Sequence, residues 1–171
     1  YVIKEDIDLA GVAWKSVGSS AEPFTGTLKG NGHKISNLTI NASASGEAYG
    51  LFGVNKGTVE NFKLEGVKIS YVSGTASQFV GAVAGKNDTE AQIIDVAVSS
   101  GEIKASYMAG GIAGENRGTI KNAYNKASVS SADFAAGIAA LNHGTIENTY
   151  SVGSISTTSS MGLDERAGAI A

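Results

Sequence analysis

The sequence contains no cysteine and a single proline among its 171 residues. The absence of cysteine excludes a disulfide framework and thiol catalysis, although it leaves the cellular compartment open. Aromatic residues make up only 7% of the chain, whereas glycine occurs 23 times. A chain with so few large rings must fill its interior with layers of small and aliphatic side chains.

Clusters of one charge and long apolar runs are also missing. The net charge is −3 and no basic run occurs, which argues against a nucleic-acid groove, since such a groove needs clustered lysine and arginine. No stretch is apolar enough to span a membrane, and the first residues, YVIKEDIDLAG, are too charged for a span or a signal peptide. We therefore expect neither nucleic-acid binding nor membrane insertion.

What the chain does contain is a repeated phrase. NRGTIKNAY at 116–124 returns as NHGTIENTY at 142–150, with related copies at 31–38, 55–62 and 87–96, the last with two residues inserted. The aliphatic residues of these copies have successive spacings, by subtraction, of 24, 34, 27 and 26 residues; they are Ile35, Val59, Ile93, Ile120 and Ile146. Repeats of this length are typical of solenoids.

A second landmark is an apolar pair beside glycine. It occurs as GLFG with Gly50 and Gly53, and again at 82–85, 111–114 and 137–140. Between landmarks, β-branched residues alternate with small or polar ones, and glycine, asparagine and serine mark the breaks, which indicates short strands. The sequence thus predicts an all-β parallel β-helix of about five coils of 24–34 residues, forming one domain over 1–171.

Both ends of the chain differ from the repeats. Residues 1–24 match no copy and contain Trp14 and the only proline, so we interpret them as an N-terminal cap, with coils over 25–171. RAGAIA at 166–171 repeats the apolar landmark and stops before its own strand. We expect the chain to continue into a further coil there, and the isolated end to be weak or to associate.

Stacking the copies predicts columns of identical positions about 4.8 Å apart. One interior column holds the five aliphatic residues above, and a second holds Leu51, Val83, Ile112 and Ile138. Two residues after the first column comes a column of Asn37, Asn61, Asp95, Asn122 and Asn148. Asparagine tolerates left-handed backbone geometry, and its amides can bond along a stack, so we expect these residues to turn a corner in every coil.

GLFG at 50–53, followed by NKGTVENFKL and preceded by DIDLAGVAWKSVG and FTGTLKGNGHKISNLTI, resembles the GLUG-repeat family of bacterial surface proteins. That family includes repeat regions of adhesins and segments attached to IgA-protease-type metallopeptidases. The resemblance implies a right-handed parallel β-helix, an extracellular or cell-surface location, and further domains of the same chain. It implies coil-shaping motif residues and no catalytic ones.

The histidines do not predict a metal site. His33 and His143 lie in coils four spacings apart, about 19 Å along the axis, so they cannot share an ion. Neither begins an HExxH motif, the zinc signature of metalloproteases. His33 belongs to the family phrase GNGH, which the resemblance makes structural. We expect no metal and no cofactor.

Carboxylates and serines do not predict catalysis either. The position of Glu60 becomes Ile94, Lys121 and Glu147 in later coils, and Lys86 stacks beside Glu115. Such alternation is typical of a solvated charge ladder. We expect no two acids to converge as glycoside hydrolysis requires, with Asp6 and Asp8 in the cap and Asp164 and Glu165 in a late loop. No serine lies in a G-x-S-x-G elbow.

Tyr124 and Tyr150 are the candidate binding residues. They share one column on adjacent coils, and on the surface they could stack against a glycan or a host protein; inside, they would fill the coil. Their alternation parity matches the interior column, which favours the core. The sequence predicts a non-catalytic β-solenoid segment of a larger bacterial surface or secreted protein, a spacer or adhesive scaffold. Alternatives are a substrate-recognition module attached to an IgA-protease-type metallopeptidase and a carbohydrate-active β-helix.

Overall fold

The computed structural model describes residues 1–42, 48–71, 78–158 and 166–170. Within these residues every regular element is a β-strand, and the strands pair in parallel around about five coils. The predicted parallel β-solenoid is confirmed. No described segment forms a helix that could cross a bilayer. Asp164 and Glu165 lie outside the described residues.

The strands follow one another coil by coil. An N-terminal strand, β1 (Ile7–Asp8), precedes coil 1, which holds β2 (Thr27–Lys29), β3 (Lys34–Ser36), β4 (Thr39–Ala42) and β5 (Ala48–Tyr49). Coil 2 holds β6 (Phe52–Asn55), β7 (Thr58–Glu65), β8 (Val67–Tyr71) and β9 (Phe79–Gly81). Coil 3 holds β10 (Ala84–Asn87), β11 (Gln92–Val98), β12 (Gly101–Ala105) and β13 (Met108–Gly110).

The last two coils have one strand more, because their longest side is divided in two. Coil 4 holds β14 (Ala113–Asn116), β15 (Thr119–Lys121), β16 (Tyr124–Asn125), β17 (Ser128–Ser131) and β18 (Phe134–Ala136). Coil 5 holds β19 (Ala139–Asn142), β20 (Thr145–Glu147), β21 (Tyr150–Ser151), β22 (Ile155–Thr157) and β23 (Arg166–Gly168).

Four sheets run along the solenoid, and each takes strands from successive coils. Sheet 1 has the order β1-β3-β7-β11-β15-β20, with β2, β16 and β21 beside this path. Sheet 2 has the order β6-β10-β14-β19, sheet 3 the order β4-β8-β12-β17-β22, and sheet 4 the order β5-β9-β13-β18-β23. Coils 2 to 5 therefore each add one layer to all four walls of the core, whereas coil 1 contributes strands to sheets 1, 3 and 4.

The interior columns account for the regular register. From coil 2 onward, each residue of the first column pairs with its counterpart in the next coil, as predicted. The residues are Val59, Ile93, Ile120 and Ile146. The register of sheet 2 likewise aligns the second predicted column of Leu51, Val83, Ile112 and Ile138. All of these except Ile146 are buried. Burial of stacked aliphatic side chains is the main favourable contribution to such a core.

Coil 1 departs from the predicted register. Leu28, not Ile35, pairs with Val59, and Ile35 pairs with Leu64 further along the same strand. The reason is that β7 is eight residues long and pairs with both β2 and β3. The placement of Ile35 and Asn37 in the main columns is therefore wrong: Asn37 donates its N–H to Glu65 O (2.9 Å) and lies beside Gly66, not beside Asn61.

Glycine at the landmarks lets sheets 2 and 4 approach each other backbone to backbone. A Cβ on Gly81 of β9 would lie 2.5 Å from Ala113 Cα of β14, closer than real contacts allow. A Cβ on Gly50 would overlap the carbonyl oxygen of Gly81, and one on Gly53 that of Gly18. The landmark glycines are thus required by close packing.

The N-terminal segment lies along the edge of the first coils without forming long strands. Val2 bridges to Lys29 and Val17 to Phe52, and Ile3 and Leu9 enter the core. The Trp14 Nε1–H donates to Leu51 O (3.1 Å). Among the described residues, exposed large hydrophobic side chains occur only towards the two ends; they are Tyr1, Val2, Ile7, Val12, Val17, Tyr150, Val152 and Ile170.

Candidate functional site

An exposed asparagine ladder turns the corner of sheet 1. Asn61, Asp95, Asn122 and Asn148 have φ values of 57°, 54°, 52° and 50°, the left-handed geometry that the repeated asparagine predicts. Asn122 Nδ2 donates to Asp95 Oδ1 (2.8 Å), and Asn148 Nδ2 donates to Asn122 Oδ1 (3.2 Å). Asn37 has the same geometry, with φ 59°, in its separate column. The corner ladder is the name we use for the four stacked residues Asn61, Asp95, Asn122 and Asn148.

A second ladder lies inside the solenoid at the end of sheet 2 and consists of Asn55, Asn87, Asn116 and Asn142. Their Nδ2 groups donate to the Oδ1 of the next coil at 2.9, 2.8 and 2.8 Å. The first three side chains are fully buried. Sequence reasoning missed this buried ladder, although an asparagine opens all five repeated phrases and four of these asparagines form the ladder. That recurrence was the available signal.

The tyrosine pair faces outward, so its predicted place in the core is wrong. Tyr124 is half-buried and Tyr150 is 50% exposed. The physical reason is the left-handed corner at Asn122, which shifts the strand alternation: Ile120 and Ala123 point inward, and Tyr124 therefore points out.

The two outward rings form a stack. Their centroids are 5.2 Å apart and their planes differ by 12°. The Lys126 ammonium lies 5.3 Å from the centroid of the Tyr124 ring, within the range of a cation–π interaction. This combination of a ring stack, an exposed edge and a cation defines a tyrosine surface of Tyr124, Tyr150 and Lys126. It offers apolar ring area and phenolic hydroxyls to a ligand.

The histidines are in separate environments. His33 Nδ1 lies 3.2 Å from Asp6 Oδ1 on the surface, and His143 donates its backbone N–H to Asn116 O (2.8 Å) in the last coil. The Lys34 backbone N–H, together with His33, holds the pKa of Asp6 below its usual range. In the part of the chain that the structure describes, no three potential metal ligands come together.

The outward charge columns follow the predicted register, but only one of them is solvated. Glu60, Ile94, Lys121 and Glu147 stack in this order, and the Lys121 and Glu147 side chains, 3.3 Å apart, are 44% and 50% exposed. Lys86 stacks on Glu115 as predicted. Glu115 is only 4% exposed, so the expectation of a solvated ladder is wrong for this residue.

Glu115 lines a polar depression of about 270 Å³ together with Ser20, Val54, Lys86, Asn87, Asp88 and Arg117. Two acids, Asp88 and Glu115, thus line one depression. Each has a cationic neighbour: Arg117 Nε lies 2.7 Å from Glu115 Oε1, and Lys56 Nζ lies 3.3 Å from Asp88 Oδ2. Partial burial raises the pKa of Asp88, but hydrogen bonds from Thr89 N–H and Lys56 outweigh it and lower that pKa.

The fold is that of a parallel β-solenoid. No family model matches the chain. Halomucin from Haloquadratum walsbyi is 32% identical over 127 residues, 67% of this chain. A "putative Gly-rich membrane protein" from Evansella cellulosilytica is 38% identical over 95 residues, 51% of this chain. The chain spans 1% of halomucin and 11% of the second relative.

A solved structure has the same architecture. It is the crystal structure of a "putative immunoglobulin A1 protease" from Bacteroides ovatus, with a TM-score of 0.76 and 29% identity. The match covers 93% of this chain and 52% of that one. These names are consistent with a surface β-solenoid segment, whereas the resemblance to GLUG repeats rests on the quoted motifs alone.

Proposed function

We propose that this chain is a non-catalytic β-solenoid segment of a cell-surface or secreted protein, which acts as a spacer and as an adhesive scaffold for a host protein or a glycan. The observation that carries the adhesive role is the outward tyrosine stack. The two rings are stacked and one of them is half exposed, in a chain that is only 7% aromatic.

The tyrosine surface suits a ligand with both apolar faces and polar groups. Ring area contributes binding energy at a small cost in conformational entropy, because tyrosine has few rotatable bonds. The Lys126 ammonium beside Tyr124 adds a donor for an acidic group. The rest of the solenoid would hold this surface rigid, since each coil is packed on its neighbours.

A binding assay with the whole chain tests the role. Immobilised mucin glycans and immunoglobulin A1 serve as probes, with wild type compared to the double variant Tyr124→Ala/Tyr150→Ala. We expect the double variant to lose at least about tenfold in affinity, or 1.4 kcal/mol. Ile94→Ala is the matched control, because Ile94 is also an outward, half-buried apolar residue of sheet 1. Equal binding by the double variant would remove the tyrosine surface from the proposal.

The second candidate function is a substrate-recognition module beside a metallopeptidase. It is favoured by the likeness to the protein named as an immunoglobulin A1 protease, which extends over 93% of this chain. This role predicts that the chain binds immunoglobulin A1 and does not cleave it. Surface plasmon resonance with immunoglobulin A1 tests it, with immunoglobulin G as the control; equal responses to the two antibodies, or none, would contradict it.

A further inference from the structure

Four charged side chains alternate in sign at the centre of the outer face of sheet 2. Lys86 and Asp88 come from coil 3, and Glu115 and Arg117 from coil 4. The register pairs Lys86 with Glu115, and Arg117 donates its backbone N–H to Asn87 O (2.7 Å), which places it beside Asp88. All four line the polar depression beside the turn that carries Ser20. We call them the charge quartet.

Stability alone does not explain the quartet. The column that holds Lys86 and Glu115 has Val54 in coil 2 and Leu141 in coil 5, so the fold accepts an aliphatic residue at this position. Burial of a carboxylate is costly, and replacement of a buried ion pair by apolar residues is often neutral or stabilising. The nearly complete burial of the Glu115 carboxylate is therefore a local cost, of the kind that proteins retain at functional sites.

The exposed pair on sheet 1 provides the contrast. Lys121 and Glu147 are both about half exposed, as expected for an ordinary surface ion pair of little energetic value. Arg117 is also 53% exposed at its side chain, whereas its partner Glu115 is 5% exposed. One member of the quartet is thus fixed inside the wall of the depression, while the other reaches solvent.

We propose that the charge quartet binds a neutral, hydroxyl-rich ligand, a single sugar unit of a glycan. Carboxylates accept hydrogen bonds from hydroxyl groups, and lysine and arginine donate to them. Within the quartet the charges cancel, since Lys86 and Arg117 stand against Asp88 and Glu115, and the neighbouring Lys56 is paired with Asp88; this balance favours a neutral ligand over a simple anion. The volume of about 270 Å³ is slightly below the ~300–1,000 Å³ typical of ligand pockets, which suits one sugar.

This site is independent of the tyrosine surface, because the quartet lies on sheet 2 and the tyrosines lie on sheet 1. Its acids are held by cations at 2.7 and 3.3 Å. Despite the partial burial of Asp88, hydrogen bonds from Thr89 N–H and Lys56 favour its ionised form and lower its pKa, so this carboxylate is an acceptor. The quartet therefore serves recognition of the sugar and leaves its glycosidic bond intact.

NMR titration of the whole chain tests the proposal. The probes are the methyl glycosides of glucose, galactose, mannose and N-acetylglucosamine. We expect backbone amide shifts concentrated at Ser20, 86–88 and 115–117 with at least one of them, and a loss of at least about tenfold in affinity in Glu115→Leu. Because Leu141 occupies the same column, Glu115→Leu should keep or raise the melting temperature, whereas a merely structural carboxylate would lower it.

Matched variants distinguish sugar binding at the quartet from sugar binding elsewhere on the solenoid. Glu147→Leu removes the acid of the exposed ion pair, and Tyr150→Ala alters the tyrosine surface; both should leave the sugar-induced shifts intact. Glu115→Gln keeps the side-chain shape and should also weaken binding. It serves as the test if Glu115→Leu fails to fold. The proposal is overturned if no glycoside shifts these amides, if Glu115→Leu and Glu115→Gln bind like wild type, or if acetate or phosphate produces the shifts and no glycoside does.

Discussion

The buried ladder and the corner ladder use the same residue type on neighbouring parts of each coil for different purposes. In the buried ladder the amides of Asn55, Asn87 and Asn116 lie in the interior, and each donates to the next coil at 2.8–2.9 Å. In the corner ladder the side chains are exposed, and what recurs is a φ of 50–57°. The first ladder satisfies polar groups where water is excluded, and the second supplies a backbone conformation that most residues resist.

The largest expected effect is in the buried ladder. Asn116→Ala removes the nearest acceptor of Asn87 Nδ2, which is then left with contacts of 3.4 and 3.5 Å to Thr119 O and Ala91 O, and it removes the donor to Asn142 Oδ1. It should reduce the free energy of unfolding by about 3 kcal/mol, since each unsatisfied buried polar group costs ~1–3 kcal/mol. Urea denaturation measures this. Asn142→Ala is the control, because Asn142 is only partly buried and should cost less; equal losses would mean that burial does not set the energy of this ladder.

The corner ladder should respond through its backbone. Asn122→Ala forces alanine into left-handed geometry and removes the side-chain hydrogen bond to Asp95. We therefore expect the free energy of unfolding to fall by about 1–2 kcal/mol. Asn122→Gly loses the same amide but keeps easy access to positive φ, and should cost about half as much. Thermal melts of the two variants separate these contributions. If alanine and glycine destabilise equally, the conformational role assigned to the corner is wrong.

The two ladders also show which parts of the structure follow from sequence. The coils, the two interior columns and the corner were predictable because each repeats in register over several copies, and a stacked column must suit its own neighbour. The buried ladder was equally regular. It was missed because an asparagine at the start of a turn is usually taken as a solvent-exposed loop residue, and only the closed coil shows that it faces inward.

The wrong predictions concern features that one repeat does not contain. The shift of Ile35 arises from the length of β7, which pairs with two strands of coil 1. The error for Tyr124 comes from counting the strand alternation through Asn122 as if the strand were continuous, although the backbone is left-handed there. Glu115 lies in a depression that it shares with Ser20 of the N-terminal segment and with its ion-pair partner Arg117, and neither of these residues belongs to its column. Each error lies where a local pattern is interrupted or where distant strands meet.

The tyrosine stack extends the comparison to an exposed aromatic column. Tyr150 is 50% exposed, so Tyr150→Ala should cost less than about 1 kcal/mol, well below the ~3–5 kcal/mol of a buried aromatic truncation. Tyr124→Ala should cost somewhat more, because Tyr124 is half-buried between Ala97 and Tyr150. Denaturation curves check both. A loss of several kcal/mol for Tyr150→Ala would restore the core interpretation.

The smallest expected effect concerns Asp8, which accepts at the surface from Asn37 Nδ2 (2.7 Å) and from the Ala10 N–H (2.9 Å) through the same Oδ1 atom. These bonds, the Asn37 bond foremost, hold the pKa of Asp8 below its ordinary value. Because the folded pKa is the lower one, the stabilisation is present above the unfolded pKa of about 4 and is lost as the pH falls through the folded value.

Asp8→Asn keeps an acceptor for Asn37 and removes the titration. Thermal melts at neutral and acidic pH should therefore show a slightly smaller acid-induced loss for Asp8→Asn than for wild type. If Asp8→Asn and wild type lose the same stability in acid, the carboxylate at this corner contributes through its shape alone.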